Sequence, residues 1–332
     1  MHRRWIFRVM LLLFLAGCVP IPLPAGTAPV SASPTPSVTP SLTVSPTLTA
    51  TAIPSPTGTP TLTPTPEPVV LAGAGDISIC GQDGDDRTAQ LLASLPGEVF
   101  TAGDNSNEQG KPVQYRQCFD GSWGRLMPRL HPAPGNHDYG TDEGFPYFAY
   151  FGDRAGPPGR GYYSYELGAW HILALNSNCE YAGGCGVDSP QERWLREDLL
   201  SHPSRCTLAY WHHPRWSSGL HGSDARTDAF WRALYDFGAE VIISGHDHHY
   251  ERFAPQTPDG ERDDRRGIRQ FIAGTGGAGL RGYGEILPLS EVRYNDTFGV
   301  LVFTLYPDRY EWQFLSVEDA RVIDSGADVC HP

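Results

Sequence analysis

Apolar residues fall along this chain in short runs that stop abruptly at glycine, the pattern of buried strands closing in tight turns. Val69 to Ala74 runs into Gly75-Asp76, Glu98 to Ala102 into Gly103-Asp104, and Leu130 to Pro134 into Gly135-Asn136-His137-Asp138. Between the first two, Ala89, Leu91, Leu92 and Leu95 have helical spacing. Strand, helix, strand implies a parallel pair, with both aspartates at the carboxyl edge where open α/β sheets gather their ligands. Gly161 to Leu167 and Trp170 to Leu175 read as an antiparallel hairpin through Gly168-Ala169. Ser189-Pro190 suits the start of a helix whose inner face is Trp194, Leu195, Leu199 and Leu200. Cys206 to Trp211 is a further buried strand delivering His212-His213-Pro214. A helix from Asp224 to Phe237 leads into Glu240 to Ile243 and the loop Ser244-Gly245-His246-Asp247-His248. Strands then dominate, at Ile268 to Ala273, Phe298 to Tyr306 and Tyr310 to Ser316. Strand-helix units followed by strands predict an α/β (α+β) domain over residues 69–332, two packed sheets flanked by helices.

Residues 1–68 break this pattern. Arg3, Arg4 and Arg8 precede an apolar stretch from Val9 to Leu15, too short to span a bilayer and typical of a signal peptide. Leu15-Ala16-Gly17-Cys18 resembles the lipobox of bacterial lipoproteins, which implies cleavage before Cys18, lipidation of its thiol and attachment to the membrane at the cell surface; secretion after ordinary cleavage is the alternative. Residues 19–68 are nearly all Pro, Thr, Ser, Ala and small aliphatics. They carry too little apolar area to offset the entropy of ordering, so they read as an extended linker.

Removing the three Arg and one Glu of this segment from the chain's 25 basic and 38 acidic residues leaves the domain with a net charge of −15. Phosphate backbones are held by Lys and Arg, so this charge argues against nonspecific nucleic-acid binding and no nucleic-acid polymer is expected as a partner. A small phosphorylated substrate met by local cations is not excluded. Six cysteines remain after Cys18, an even set expected to form disulfides in an exported chain. Fifteen connectivities are open to six cysteines. The expected pairing is Cys179 with Cys185, Cys80 with Cys118 and Cys206 with Cys330; no Cys-x-x-Cys spacing points to zinc. Gly274-Thr275-Gly276-Gly277-Ala278-Gly279 lacks the Gly-Lys-Ser/Thr ending of a phosphate loop and reads as close backbone packing beside the site.

Two Gly-Asp turns after matching strands, an Asn-His pair and a His-x-His loop supply carboxylate, amide and imidazole donors at strand ends. Taken in order, Gly75-Asp76, Gly103-Asp104, Gly135-Asn136-His137-Asp138, His212-His213-Pro214 and Gly245-His246-Asp247-His248 resemble the signature of calcineurin-like metallophosphoesterases. Tyr250-Glu251-Arg252 after the last motif, and Ser78 where many members carry His, turn the resemblance toward the purple acid phosphatase branch.

The resemblance implies a four-layer sandwich of two mixed β-sheets and a dinuclear centre of Fe, Zn or Mn. Asp104 would bridge both ions, Asp76 and His248 would hold the first, and Asn136, His212 and His246 the second. Such donors suit two cations sharing a carboxylate. The implied reaction is hydrolysis of a phosphate monoester by an acidified water attacking in line, with His137 protonating the leaving group and His221 a second substrate-side histidine. A phosphodiesterase or nucleotidase on the same site is the alternative, and binding of metal or phosphate without turnover is a third reading. One departure stands out: the purple branch carries Tyr at the position of Asn107, so the metal-binding phenolate is absent there and Asn107 offers at most an amide oxygen. His131, His171, His202, His213, His249 and His331 match no role in the family pattern.

Overall fold

The computed structural model describes residues 67–332; the leader, Cys18 and the linker up to residue 66 lie outside the described residues. Thirteen strands follow in order: β1 (Val69–Ala74), β2 (Glu98–Ala102), β3 (Leu130–Ala133), β4 (Tyr163–Leu167), β5 (Trp170–Ala174), β6 (Cys206–Tyr210), β7 (Val241–Ser244), β8 (Tyr250–Phe253), β9 (Arg269–Ala273), β10 (Ser290–Tyr294), β11 (Gly299–Leu305), β12 (Arg309–Ser316) and β13 (Val322–Val329). They form two mixed sheets, a six-stranded one in the order β13-β12-β11-β1-β2-β3 and a seven-stranded one in the order β10-β8-β9-β7-β6-β5-β4. In the first, β1, β2 and β3 run parallel while β11 joins β1 antiparallel. In the second, β5, β6, β7 and β9 are parallel, flanked by antiparallel β4 and β8.

Side chains alternate between the two faces of a strand, and here both faces are covered. Leu71, Phe100, Leu301 and Phe303 of the first sheet meet Ile172, Leu208, Ile243 and Phe271 of the second in one apolar layer between the sheets. The other faces of the same strands, through Ala72, Val99, Val300 and Val302, pack on helix Gly84–Ala93 and the segment from Tyr115 to Phe151. Behind the second sheet, Leu173, Ala209 and Ile242 pack on helices Pro190–Ser201 and Asp228–Asp236. Three apolar layers make the four-layer sandwich that the sequence leads one to expect.

Ser189 caps its helix by accepting from Glu192 N, with Pro190 in the first turn. All three expected disulfides are present, with Cα–Cα distances of 5.2 Å for Cys80–Cys118, 5.1 Å for Cys179–Cys185 and 5.5 Å for Cys206–Cys330. No described helix is long and apolar enough to cross a membrane.

Three strands depart from the sequence pattern. β8 carries Glu251 and Arg252, and β10 is a charged edge strand. β13 reads Asp324-Ser325-Gly326, poor strand formers, yet it pairs along β12 because the Trp312 ring lies over Gly326; a Cβ there would come within 2.3 Å of that ring. Helix Phe145–Phe151 is aromatic on nearly every side, so it carries no readable period.

Candidate metal centre

Each of the six expected metal ligands lies just beyond the carboxyl end of a parallel strand. Asp76 follows β1, Asp104 follows β2, Asn136 follows β3, His212 follows β6, and His246 and His248 follow β7. The two sheets are laced together at this edge: Gly75 N donates to Ala273 O at 2.8 Å, and His246 N to Asp76 Oδ2 at 2.8 Å. Asp76, Asp104 and His246 adopt left-handed backbone, with φ of 58°, 51° and 69°. Such conformations cost roughly 1–3 kcal/mol each for residues with a Cβ and cluster at functional sites. Glycine is required where the loops touch, since a Cβ at Gly135 would fall 2.1 Å from Asp104 Oδ1 and one at Gly245 2.6 Å from Asp76 Oδ2.

The donor atoms converge. His212 Nε2 lies 3.0 Å from Asn136 Oδ1, 3.3 Å from Asp104 Oδ2 and 3.2 Å from His246 Nδ1. His248 Nε2 is 3.2 Å from Asp76 Oδ1. Backbone carbonyls orient two of the rings, with His212 Nδ1 2.9 Å from Ala102 O and His248 Nδ1 2.7 Å from Gly279 O. Donation from Nδ1 leaves Nε2 facing the cluster, the arrangement that fixes metal-ligating histidines. Asn107 Nδ2 reaches both carboxylates, 3.2 Å from Asp76 Oδ1 and 3.3 Å from Asp104 Oδ2.

Asp76 and Asp104 are essentially inaccessible to solvent. Among the described residues, their ion-pair partners are histidines alone, with no Lys or Arg. Burial alone would raise the Asp76 carboxyl, but the adjacent His248, then His212 and His246, pull it below the usual carboxylate range. Burial opposes charge on His212, yet Asp104 pushes it up to about 9. Asp76 likewise raises His248 against its burial, whereas burial and then His212 hold His246 far below an ordinary imidazole. The charge of the two buried acids is met by protons drawn onto neighbouring imidazoles, protons that metal-ligating nitrogens give up. The donors fit a pair of cations: carboxylate, imidazole and amide atoms at mutual contact, two rings held by carbonyls and, among the described residues, no Lys or Arg ion-paired to the acids.

His137 sits at the rim with Nδ1 2.6 Å from Glu108 O and Nε2 3.8 Å from Asp104 Oδ2, its side chain about one-third exposed at 35%. His221 is also brought in. Its ring centroid is 4.4 Å from that of His246, its backbone N donates to Asp247 Oδ1 at 3.0 Å, and its Nε2 meets Arg281. Three residues escape the motif reading. His213 lies with its ring 4.5 Å from His246 and its Nδ1 2.8 Å from Ser177 Oγ, and burial, then His212, keep it neutral. Asp138 accepts from Gly135 N at 2.8 Å, Asn105 N at 3.1 Å, Ser106 N at 3.2 Å and Tyr115 OH, stapling the β2 and β3 loops together. Asp247, bonded by Ser217 Oγ and His221 N, does the same for the loop that carries His221. Only their places inside the motifs Gly-Asn-His-Asp and Gly-His-Asp-His signalled them. The glycines after β9 pack as expected, with Gly276 N donating to Gly75 O at 2.8 Å.

Purple acid phosphatase 15 of Arabidopsis thaliana is 27% identical over 154 residues, 39% of this chain and 27% of that protein. Acid phosphatase A of Cryphonectria parasitica is 25% identical over 49% of this chain and 38% of its own length. The chain therefore spans well under half of either relative. In fold it is similar to the purple acid phosphatase PPD1 from yellow lupin (Lupinus luteus), with a TM-score of 0.67 at 17% identity over 79% of this chain and 54% of that one. Residues 70–250, more than half of the chain, match the family model for calcineurin-like phosphoesterases, and the chain belongs to that family.

Proposed function

We propose that this protein hydrolyses phosphate monoesters at a dinuclear metal centre, with Asp104 shared between the ions, Asp76 and His248 on one side and Asn136, His212 and His246 on the other. The observation that carries this reading is the meeting of two buried carboxylates with imidazoles and an amide but, among the described residues, no Lys or Arg partner. The chemistry such ions supply when bound is an acidified water and compensation for charge growing on phosphoryl oxygens.

The chain's own residues do the rest. His137, its Nδ1 proton held by Glu108 O, keeps Nε2 beside the Asp104 carboxylate at the rim of the site, where it protonates the departing alkoxide. Arg281 supplies a positive charge at the lip beside His246 that suits the extra negative charge of a monoester, with His221, held toward its neutral form by burial, against its guanidinium. Asn107, a neutral amide where the purple branch has a phenolate, leaves the first site one negative charge poorer, which favours divalent ions over ferric iron. Iron-loaded protein should accordingly lack a visible charge-transfer band. Asn107→Tyr should introduce one, and an absorption band already present in the parent would contradict this assignment.

The three disulfides fit an oxidising compartment outside the cytoplasm, with Cys18 as a lipid anchor and residues 19–68 as the spacer. The partner is then a small phosphorylated molecule and not a nucleic-acid polymer. Turnover of nitrophenyl monophosphate against bis-nitrophenyl phosphate, with each of Fe, Zn and Mn, tests the reading. Faster monoester cleavage supports it, preference for the diester replaces it with a phosphodiesterase, and no turnover with any metal leaves a binding protein.

A further inference from the structure

A second group of metal donors lies at the opposite end of the seven-stranded sheet. His171 on β5 is paired in register with Thr207 on β6, five residues before His212. At about 3.3 Å per residue, this places it roughly 16 Å from the candidate centre. His171 is 1% exposed and held on both sides, its Nδ1 2.7 Å from Glu166 Oε1 and its Nε2 2.7 Å from Asp198 Oδ2. One helical turn beyond Asp198, at the end of helix Pro190–Ser201, the half-exposed His202 brings Nδ1 to 3.4 Å from Asp198 Oδ1. The ligand atoms of His171, Asp198 and His202 all lie within 4.8 Å of one another.

We infer that His171, Asp198 and His202 form a separate transition-metal site, zinc being the fitting ion. Tetrahedral zinc with bonds near 2.0–2.2 Å puts neighbouring ligand atoms roughly 3.3 Å apart, close to the 3.4 Å between His202 Nδ1 and Asp198 Oδ1, and His202 Nδ1 would exchange its 3.0 Å contact with Asp198 O for the ion. Outer partners are already in place. Glu166 takes the Nδ1 proton of His171 and so directs Nε2 inward, while Ser164 Oγ donates to Asp198 Oδ1 at 2.9 Å. With His171 protonated, the two carboxylates leave the cluster one unit negative, and the exposed His202 ring is its doorway to solvent. Zinc replaces the Nε2 proton of His171, which passes to water, and the fourth position is left to water. Such a site would pin helix Pro190–Ser201 to the β4–β5 hairpin, which the disulfides do not cross-link.

The test is zinc content and binding of the full chain after chelation and reloading with Zn²⁺ alone. His202→Ala should bind one zinc fewer than the parent, whatever the count at the candidate centre, and Glu166→Gln should weaken that equivalent about tenfold or more. Equal zinc content in His202→Ala and the parent overturns the inference. Should the variants not fold, anomalous diffraction from zinc-soaked parent crystals decides: a peak between His171 Nε2 and Asp198 supports the site, and no density there at full loading of the candidate centre overturns it.

Discussion

Two buried acid pockets of this protein settle their charge in opposite ways. Asp324 on β13 is met by Arg252 Nε at 2.8 Å, Tyr250 OH at 2.7 Å and Trp312 Nε1 at 3.2 Å, so its charge is closed within the fold. Asp76 and Asp104 are more deeply buried and have only histidines and amide donors around them. There the balancing charge is a proton on an imidazole, which a bound cation can displace, whereas the guanidinium at Asp324 is permanent. The fold supplied arginine for the first pocket and withheld it from the second, and the second is where strained backbone and close glycine contacts also gather. Charge balanced by exchangeable protons at such a site suits cations from outside. Glu240 shows a third solution: it accepts from Thr207 N at 2.6 Å and His331 N at 3.1 Å, and burial pushes it up to about 8, so it takes a proton.

This contrast can be broken at its strongest point. Asp104→Ala should lose bound metal and turnover together, by orders of magnitude, in metal analysis and steady-state kinetics; full activity in that variant would be fatal to the reading. His137→Ala should keep its metal and lose roughly 10²–10⁴-fold in turnover, the usual contribution of a general acid, with metal content measured on the same sample. Arg252→Ala should do the reverse. It strands Asp324 in a mostly buried pocket and should cost ~3 kcal/mol in denaturant unfolding while leaving metal content unchanged.

A last effect concerns pH. Folding raises Glu240 from an ordinary 4.5 to about 8, so the folded chain keeps a proton that the unfolded chain has released. Stability should therefore fall as pH climbs from 4.5 toward 8, and Glu240→Gln should flatten that decline in thermal melts across the window.

The strands that carry the centre were legible because each is a short buried apolar run cut off by glycine or, for β6, by His212-His213-Pro214, a signal that survives without its partners. Asp76, Asp104, Asn136, His212, His246 and His248 could be picked out for the same reason, since each stands at such a stop. β13 was not legible, because its pairing depends on Trp312 covering Gly326, a contact made across strands. Asp138 and Asp247 hide inside the motifs that they brace, and nothing local separates a brace from a ligand. The relation of His171 to Asp198 depends on how a helix lies against a hairpin, which residue spacing does not encode.

The most direct test of the central claim is anomalous diffraction from crystals of the metal-loaded protein. Two peaks about 4 Å apart on either side of the Asp104 carboxylate, one reached by His248 and the other by His212 and His246, are the result expected. No peak at Asp104 in a fully loaded, well-ordered crystal would contradict it.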